Sequence, residues 1–201
     1  ILLTGLFVFG QTANNSQEGY QVFRYPNGTI SGEGLFKNGK PEGFWKSYYV
    51  TGIKKSEGKY KNFQLDSVWV FFDQAGDTIE KINYLFGKRN GYSYKYKKEP
   101  SEGLYVSSRD LFAGDRKEGT AYFYFPDGKI QQTITYSNGK KEGLCRELDR
   151  NGNVITLFEY NNDFLISRER INRSDSKGLK QGVWKEFYPN GAVRSEKNYR
   201  D

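Results

Sequence analysis

The chain has no histidine and no methionine, one cysteine and only five prolines in 201 residues. Without histidine there is no imidazole base, no histidine-dependent triad and no histidine-ligated metal. Cys145 stands alone, so neither an intrachain disulfide nor a cysteine-based metal site is available. Long apolar runs are missing as well. The clearest one, Ile1 to Gly10, is far short of the roughly 20 residues that cross a bilayer as a helix, so no transmembrane span is expected. Hydrophobic residues make up 36% of the chain, below the roughly 45–50% usual in globular proteins. That shortage argues against an ordinary compact core.

The residues that are abundant point to strands and turns. There are 16 Tyr, 15 Phe, 3 Trp and 23 Gly. Flat rings suit a pleated surface, and glycine supplies positive φ at reversals. No long helical period is found, so the chain reads as all-β. The net charge of +7 suits an acidic partner such as nucleic acid or an anionic surface. No run of five or six like charges occurs, however, and Glu stands beside many of the Lys and Arg residues. Solvated strand faces explain the charge without a nucleic-acid partner.

The apolar run Ile1 to Gly10 is followed by the polar stretch Gln11 to Gln17. It has the length of the apolar region of an export signal, with an acceptable small residue before a cut at Gln11. Residues 1–18 are read as a signal-peptide remnant and linker, and 19–201 as the repeat domain. The expected location is then periplasmic or extracellular. If the run is instead a first strand capping the sheet, the location reverts to the cytoplasm. No cysteine lies near the proposed cut, so a lipoprotein anchor is not supported.

A period of 24 residues organises the rest. Units open at Gly19, Gly43, Ser67, Gly119 and Gly143, and a partial one opens at Gly182. Their tenth residues are Gly28, Gly52, Gly76, Gly128, Gly152 and Gly191. Their eighteenth are Phe36, Tyr60, Tyr84, Tyr136, Tyr160 and Tyr199. The unit Gly91 to Glu118 is four residues longer, with the insertion placed in the turn around Glu99 to Gly103. The stretch Ser167 to Gln181 is a shortened unit. These two irregular units are expected to mark a bend or a binding loop. Asp201 follows Tyr199 where another turn is due, so the array is expected to continue or to pair its last strand with something.

Each unit carries the signals of a hairpin. An alternating segment leads into turns such as Tyr25-Pro26-Asn27-Gly28 and Phe125-Pro126-Asp127-Gly128. A second segment ends at the aromatic column, and Asn38-Gly39 or Asn138-Gly139 turns the chain into the next unit. The expected product is an elongated, twisted antiparallel sheet of about fourteen strands, roughly 60–70 Å long at about 4.8 Å per strand. One unit cannot bury its rings alone, so neighbours stack aromatic on aromatic.

The recurrent Tyr/Phe-x-Asn-Gly turns, with openings that place Trp45, Trp69 and Trp184 third in their units, resemble the bacterial variant of the MORN repeat. The resemblance covers residues 19–201. It implies consecutive β-hairpins in an elongated sheet that serves as an interaction or membrane-apposed module. Some bacterial members are labelled antitoxins of toxin–antitoxin pairs, which fits an exported protein poorly.

Catalytic chemistry is not suggested. Cys145 occupies the column that holds Trp45, Trp69 and Trp184 elsewhere, where a small packing residue is expected. The carboxylates Glu42, Asp66, Glu118 and Glu142 recur at the last position of the unit, which implies a structural role, solvating the turn opposite Lys40, Lys140 or Lys141. The glycines are hairpin turns and do not form a phosphate-cradling loop before a helix. No enzyme activity, metal or cofactor is expected. The candidate binding residues are the rings of Trp45, Trp69 and Trp184, with Tyr48, Phe72, Tyr96, Tyr124 and Phe187 on the opposite parity. They serve as ladders holding the sheet together, as a protein-partner face, or as platforms for glycan such as peptidoglycan; nucleic-acid stacking ranks last. The expected function is a protein-interaction or scaffold module of the cell envelope, with a glycan binder and an antitoxin as alternatives.

Overall fold

The computed structural model describes residues 18–188 and 191–200. The apolar run and signal reading of residues 1–17 lie outside the described residues. The chain begins with β1 (Gly19–Arg24), β2 (Ile30–Lys37), β3 (Lys40–Tyr48), β4 (Lys54–Lys61), β5 (Gln64–Phe72) and β6 (Thr78–Leu85). It continues with β7 (Lys88–Glu99), β8 (Gly103–Ala113), β9 (Arg116–Lys117), β10 (Gly119–Tyr124), β11 (Ile130–Ser137) and β12 (Lys140–Lys141). The last six are β13 (Gly143–Leu148), β14 (Val154–Asn161), β15 (Phe164–Arg170), β16 (Arg173–Ser174), β17 (Lys180–Phe187) and β18 (Val193–Tyr199). No helix occurs among the described residues, and none is therefore long and apolar enough to cross a membrane.

Pairing is antiparallel and follows chain order from β1 to β15, with β9 and β12 as short leading pieces of the strands continued by β10 and β13. The insertion in the unit Gly91 to Glu118 lengthens the β7–β8 hairpin, whose ladder runs out to Glu99↔Gly103.

Two kinds of turn alternate, as the repeat predicts. Short ones use two residues with both φ positive, for example Asn38 at 51° with Gly39 at 69° and Asn138 at 52° with Gly139 at 85°. This is the mirror-image turn whose twist matches paired strands. In the wider turns the first residue donates its N–H to the carbonyl four residues on, as Tyr25 does to Thr29, and the column glycine donates back to it. That glycine has φ between 81° and 87° in all six units, a conformation that a Cβ would strain. The column is a backbone requirement.

Successive turns are tied together. Glu18, Glu118 and Glu142 each accept the backbone N–H of a short turn twenty residues on, at Asn38, Asn138 and Asn162. Glu42 likewise accepts Phe63 N–H, whereas Asp66 accepts the neighbouring Ser67 hydroxyl, so three of the four recurring carboxylates clamp a neighbouring turn where the sequence suggested only solvation opposite lysines. At the wide end, the Tyr25 hydroxyl donates to the Tyr48 carbonyl at 2.7 Å and Tyr49 repeats this to Phe72 at 2.8 Å.

The expected single sheet is broken once. β16, β17 and β18 form a separate three-stranded sheet. At regular unit junctions the register slips by a net two residues, as between Leu35↔Glu42 and Gly34↔Trp45. Entering β15 it slips by one, between Tyr160↔Leu165 and Glu159↔Ser167. A one-residue change sends every later side chain to the other face. Ser167 to Gln181 then lacks a full second strand. Asn172 joins the two sheets: its side-chain amide donates to the carbonyls of Val154 and Lys185, and its oxygen accepts Lys185 N–H at 2.7 Å. Arg146 of β13 reaches the last hairpin, stacking over Phe187 and donating to the Gly191 carbonyl.

One face holds the core. Trp45 and Trp69 are buried, with Phe36, Tyr60 and Tyr84 beside them. Tyr60 stands edge-on between the two indoles, 6.1 Å from Trp45 and 5.1 Å from Trp69. Each indole lies over a glycine: a Cβ on Gly34 would sit 2.4 Å from Trp45, and one on Gly58 2.3 Å from Trp69. Further along, the volumes are exchanged. Ile82 faces Ser93, Asp110 shares its row with Ala121 of the neighbouring strand, and Ile134 with Cys145. Where the Trp is absent, a cation covers the column ring: Arg89 over Phe112, Lys117 over Tyr136 and Lys141 over Tyr160, at 4.3–4.9 Å. Each such contact contributes about 0.5–1 kcal/mol, comparable with an aromatic pair at about 0.5–1.5 kcal/mol. The ladder continues in a different material.

Candidate binding face

The opposite face is built by the alternate residues of the same strands, because side chains point to opposite sides with period two. Three rows run across it. The middle row is continuous in register from Val22 through Glu33, Lys46, Glu57, Val70, Lys81, Tyr94, Arg109, Tyr122 and Thr133 to Arg146. Its first part alternates charge, which favours cross-strand attraction. Its centre is Tyr-Arg-Tyr. The Arg109 guanidinium lies 4.6 Å from the Tyr122 ring and 5.2 Å from the Tyr92 ring.

The row toward the wide turns carries Tyr48, Phe72, Tyr96 and Tyr124, all half-buried. The Tyr48 hydroxyl donates to Glu33 Oε1 at 2.6 Å. Burial, and then this hydrogen bond, push the Tyr48 phenol well above its ordinary value, while the same bond holds Glu33 below the usual carboxylate range. Lys54 sits over Phe72 and ion-pairs with Glu57; Lys81 sits over Tyr96. These rings are fixed in place by cations and carboxylates.

The row toward the short turns is the open one. Tyr20, Phe44, Val68 and Tyr92 are 62%, 56%, 52% and 50% exposed. Leu35 is cross-strand from Tyr20 and also exposed. Sequence reasoning missed this row. Its signal was available: each residue sits immediately before the Trp column, on the parity of Tyr48 and Phe72.

The candidates chosen from sequence therefore separate. Tyr48, Phe72, Tyr96 and Tyr124 come together on one face, which we term the tyrosine face. Trp45 and Trp69 do not join them. Their rings are used up against Gly34, Gly58 and Tyr60, so they are not platforms open to a partner. Trp184 is half-buried in the second sheet, its indole donating to the Arg173 carbonyl at 3.0 Å with Lys180 over the ring at 4.3 Å. Trp45 and Trp69 make the equivalent bond, to Leu35 and Lys59. Cys145 is fully buried, and burial pushes its thiol up.

Segments 17–38, 117–138 and 180–201 match the family described as the MORN repeat variant. These are MORN-variant repeats. The matched segments carry the turns at Gly28, Gly128 and Gly191, and the turns at Gly52, Gly76, Gly152 and Gly178 repeat the same bonds. No curated protein matches the chain. Among solved structures, a mutant of S. aureus TarM in complex with fondaparinux, alpha-GlcNAc-glycerol and UDP is 15% identical, with a TM-score of 0.35. The match covers 49% of this chain and 19% of that one.

Proposed function

We propose that this MORN-variant protein is a non-enzymatic scaffold of the cell envelope that binds a protein partner across its tyrosine face. The observation that carries the reading is the exposed row Tyr20, Phe44, Val68 and Tyr92 beside the Tyr94-Arg109-Tyr122 centre. Tyr20 pairs with Leu35, while Phe44, Val68 and Tyr92 alternate with Lys59 and Asn83. Exposed apolar groups gathered on one face mark interaction sites, and tyrosine with arginine is the composition of binding hot spots. From β3 to β11 the face spans eight adjacent strands. At about 4.8 Å per strand and about 20 Å of strand length this is roughly 800 Å², the area one partner contributes to a standard protein interface. The recurring carboxylates and the buried Cys145 have structural work already, which supports a non-catalytic role. The glycan alternative loses two of its three tryptophan platforms with the burial of Trp45 and Trp69, and the antitoxin alternative keeps a protein partner but places it in the cytoplasm.

The test is co-purification from fractionated cells with the full chain and with a Phe44→Ser/Val68→Ser/Tyr92→Ser variant. A protein recovered from the envelope fraction with the parent and lost with the variant supports the reading. Equal recovery with both removes the face from the account, and a protein confined to the cytoplasm removes the envelope.

A further inference from the structure

The break between the two sheets opens a cleft of about 470 Å³, lined by Glu147, Thr156, Arg168, Arg170, Arg173 and Ser174 among others. It lies on the tryptophan side of the main sheet. Arg168 is cross-strand from Phe158 and Arg170 from Thr156, so these two arginines stand where regular units put ladder residues such as Trp69 and Phe71. Arg173 and Ser174 come from β16, across the break.

The charges in this cleft are not balanced internally. Among the described residues Arg168, Arg170 and Arg173 form no ion pair, and Glu147 is the one carboxylate in the lining. Arg168 stacks on Phe158 at 5.4 Å, which fixes its guanidinium at the wall. Arg170 pairs with Thr156 through the backbone ladder, and its side chain has no hydrogen bond or ring contact among the described residues. Asn172 holds the two sides at a set distance through its bonds to Val154 and Lys185. Three exposed arginines line the cleft from two walls, beside the hydroxyl-bearing Thr156 and Ser174, and planar guanidinium forks suit phosphate oxygens.

We propose that this cleft is a binding site for a phosphate-bearing ligand, with Arg168 and Arg170 on one wall and Arg173 on the other. The site is independent of the tyrosine face, and the irregular unit Ser167 to Gln181 is what creates it. A regular junction would have continued the ladder and closed the space.

Calorimetric titration of the full chain with inorganic pyrophosphate, in 0.15 M salt, tests this. One saturable site is expected, with affinity falling tenfold or more in Arg168→Gln/Arg170→Gln/Arg173→Gln. A Lys59→Gln/Lys97→Gln/Lys197→Gln control removes the same charge from exposed strand positions and is expected to leave the affinity within twofold. Glu147→Gln is expected to tighten binding. No saturable binding, or equal loss in the arginine and lysine variants, overturns the proposal. Should the triple arginine variant melt early, Arg170→Gln alone decides, since that side chain carries no structural bond; unchanged affinity there also overturns it. A parallel titration with linear polyphosphate separates the sources. Comparable affinity for both anions points to a small phosphate ester, and a large gain with the polymer points to a polyanionic chain.

Discussion

The two faces of the main sheet are made by alternate residues of the same strands, yet they use their rings in opposite ways. On the tryptophan face each large ring has a hole prepared for it, Gly34 for Trp45 and Gly58 for Trp69. On the tyrosine face the glycines make room for Asn83 and Arg146 but for no ring, and the rings stand up between cations and carboxylates. Complementary volume closes one face; its absence leaves the other available. The difference lies in what stands across the strand from each ring, and ring count alone does not reveal it.

Breaking the closed face should cost most. Trp69→Ala removes a ring in contact with Tyr60 and Phe71 and is expected to lower unfolding free energy by about 3–5 kcal/mol, measured by urea denaturation. Gly58→Ile fills the hole under that ring and should cost about 1–3 kcal/mol. Adding Trp69→Ser recreates the Ile82–Ser93 pairing, so the double variant should lose less than the sum of the singles, with a coupling of about 0.5–3 kcal/mol. Strict additivity would break the claim of matched volumes. Glu142→Ala releases the clamp on Asn162 and should cost about 1 kcal/mol, with faster amide exchange at that turn.

Glu80 sharpens the contrast through pH. Burial raises its carboxyl above the usual value, with Lys95 and Arg89 opposing. The folded state therefore holds the proton more tightly than the unfolded chain, and ionisation is a penalty above the raised value. Glu80→Gln should stabilise at pH 7, and the gain should shrink as pH falls through the raised value and vanish below the ordinary carboxylate range. A gain that persists unchanged at pH 3 would refute this. The smallest effect belongs to the open face: Phe44→Ser/Val68→Ser/Tyr92→Ser should change stability by about 0.5 kcal/mol or less per site, as read by the same denaturation.

Much of the fold was legible in the residues. The glycine column predicted the left-handed turn position and the aromatic column predicted the ladder. The unit carrying the insertion was read correctly, but its extra residues extend strands β7 and β8 and leave a short turn at 100–102. The division between the faces was not, since rings occur on both parities. The deciding partner of Trp69 is Gly58, eleven residues earlier in another strand, and that pairing is visible only once the register is known. The exchange to Ile82 with Ser93 and Ile134 with Cys145 was a signal within the sequence that column-by-column reading passes over. The sheet break was equally hidden. It depends on one residue, Ile166, where other junctions carry two, and on a second strand that Ser167 to Gln181 lacks.

The direct measurement is hydroxyl-radical footprinting of the free protein, read residue by residue by mass spectrometry. Trp45 and Trp69 should be protected relative to Trp184, while Tyr20, Phe44 and Tyr92 are modified readily. Oxidation of Trp45 and Trp69 as fast as Trp184, or protection of Phe44 and Tyr92, would contradict the assignment of one face to the core and the other to a partner.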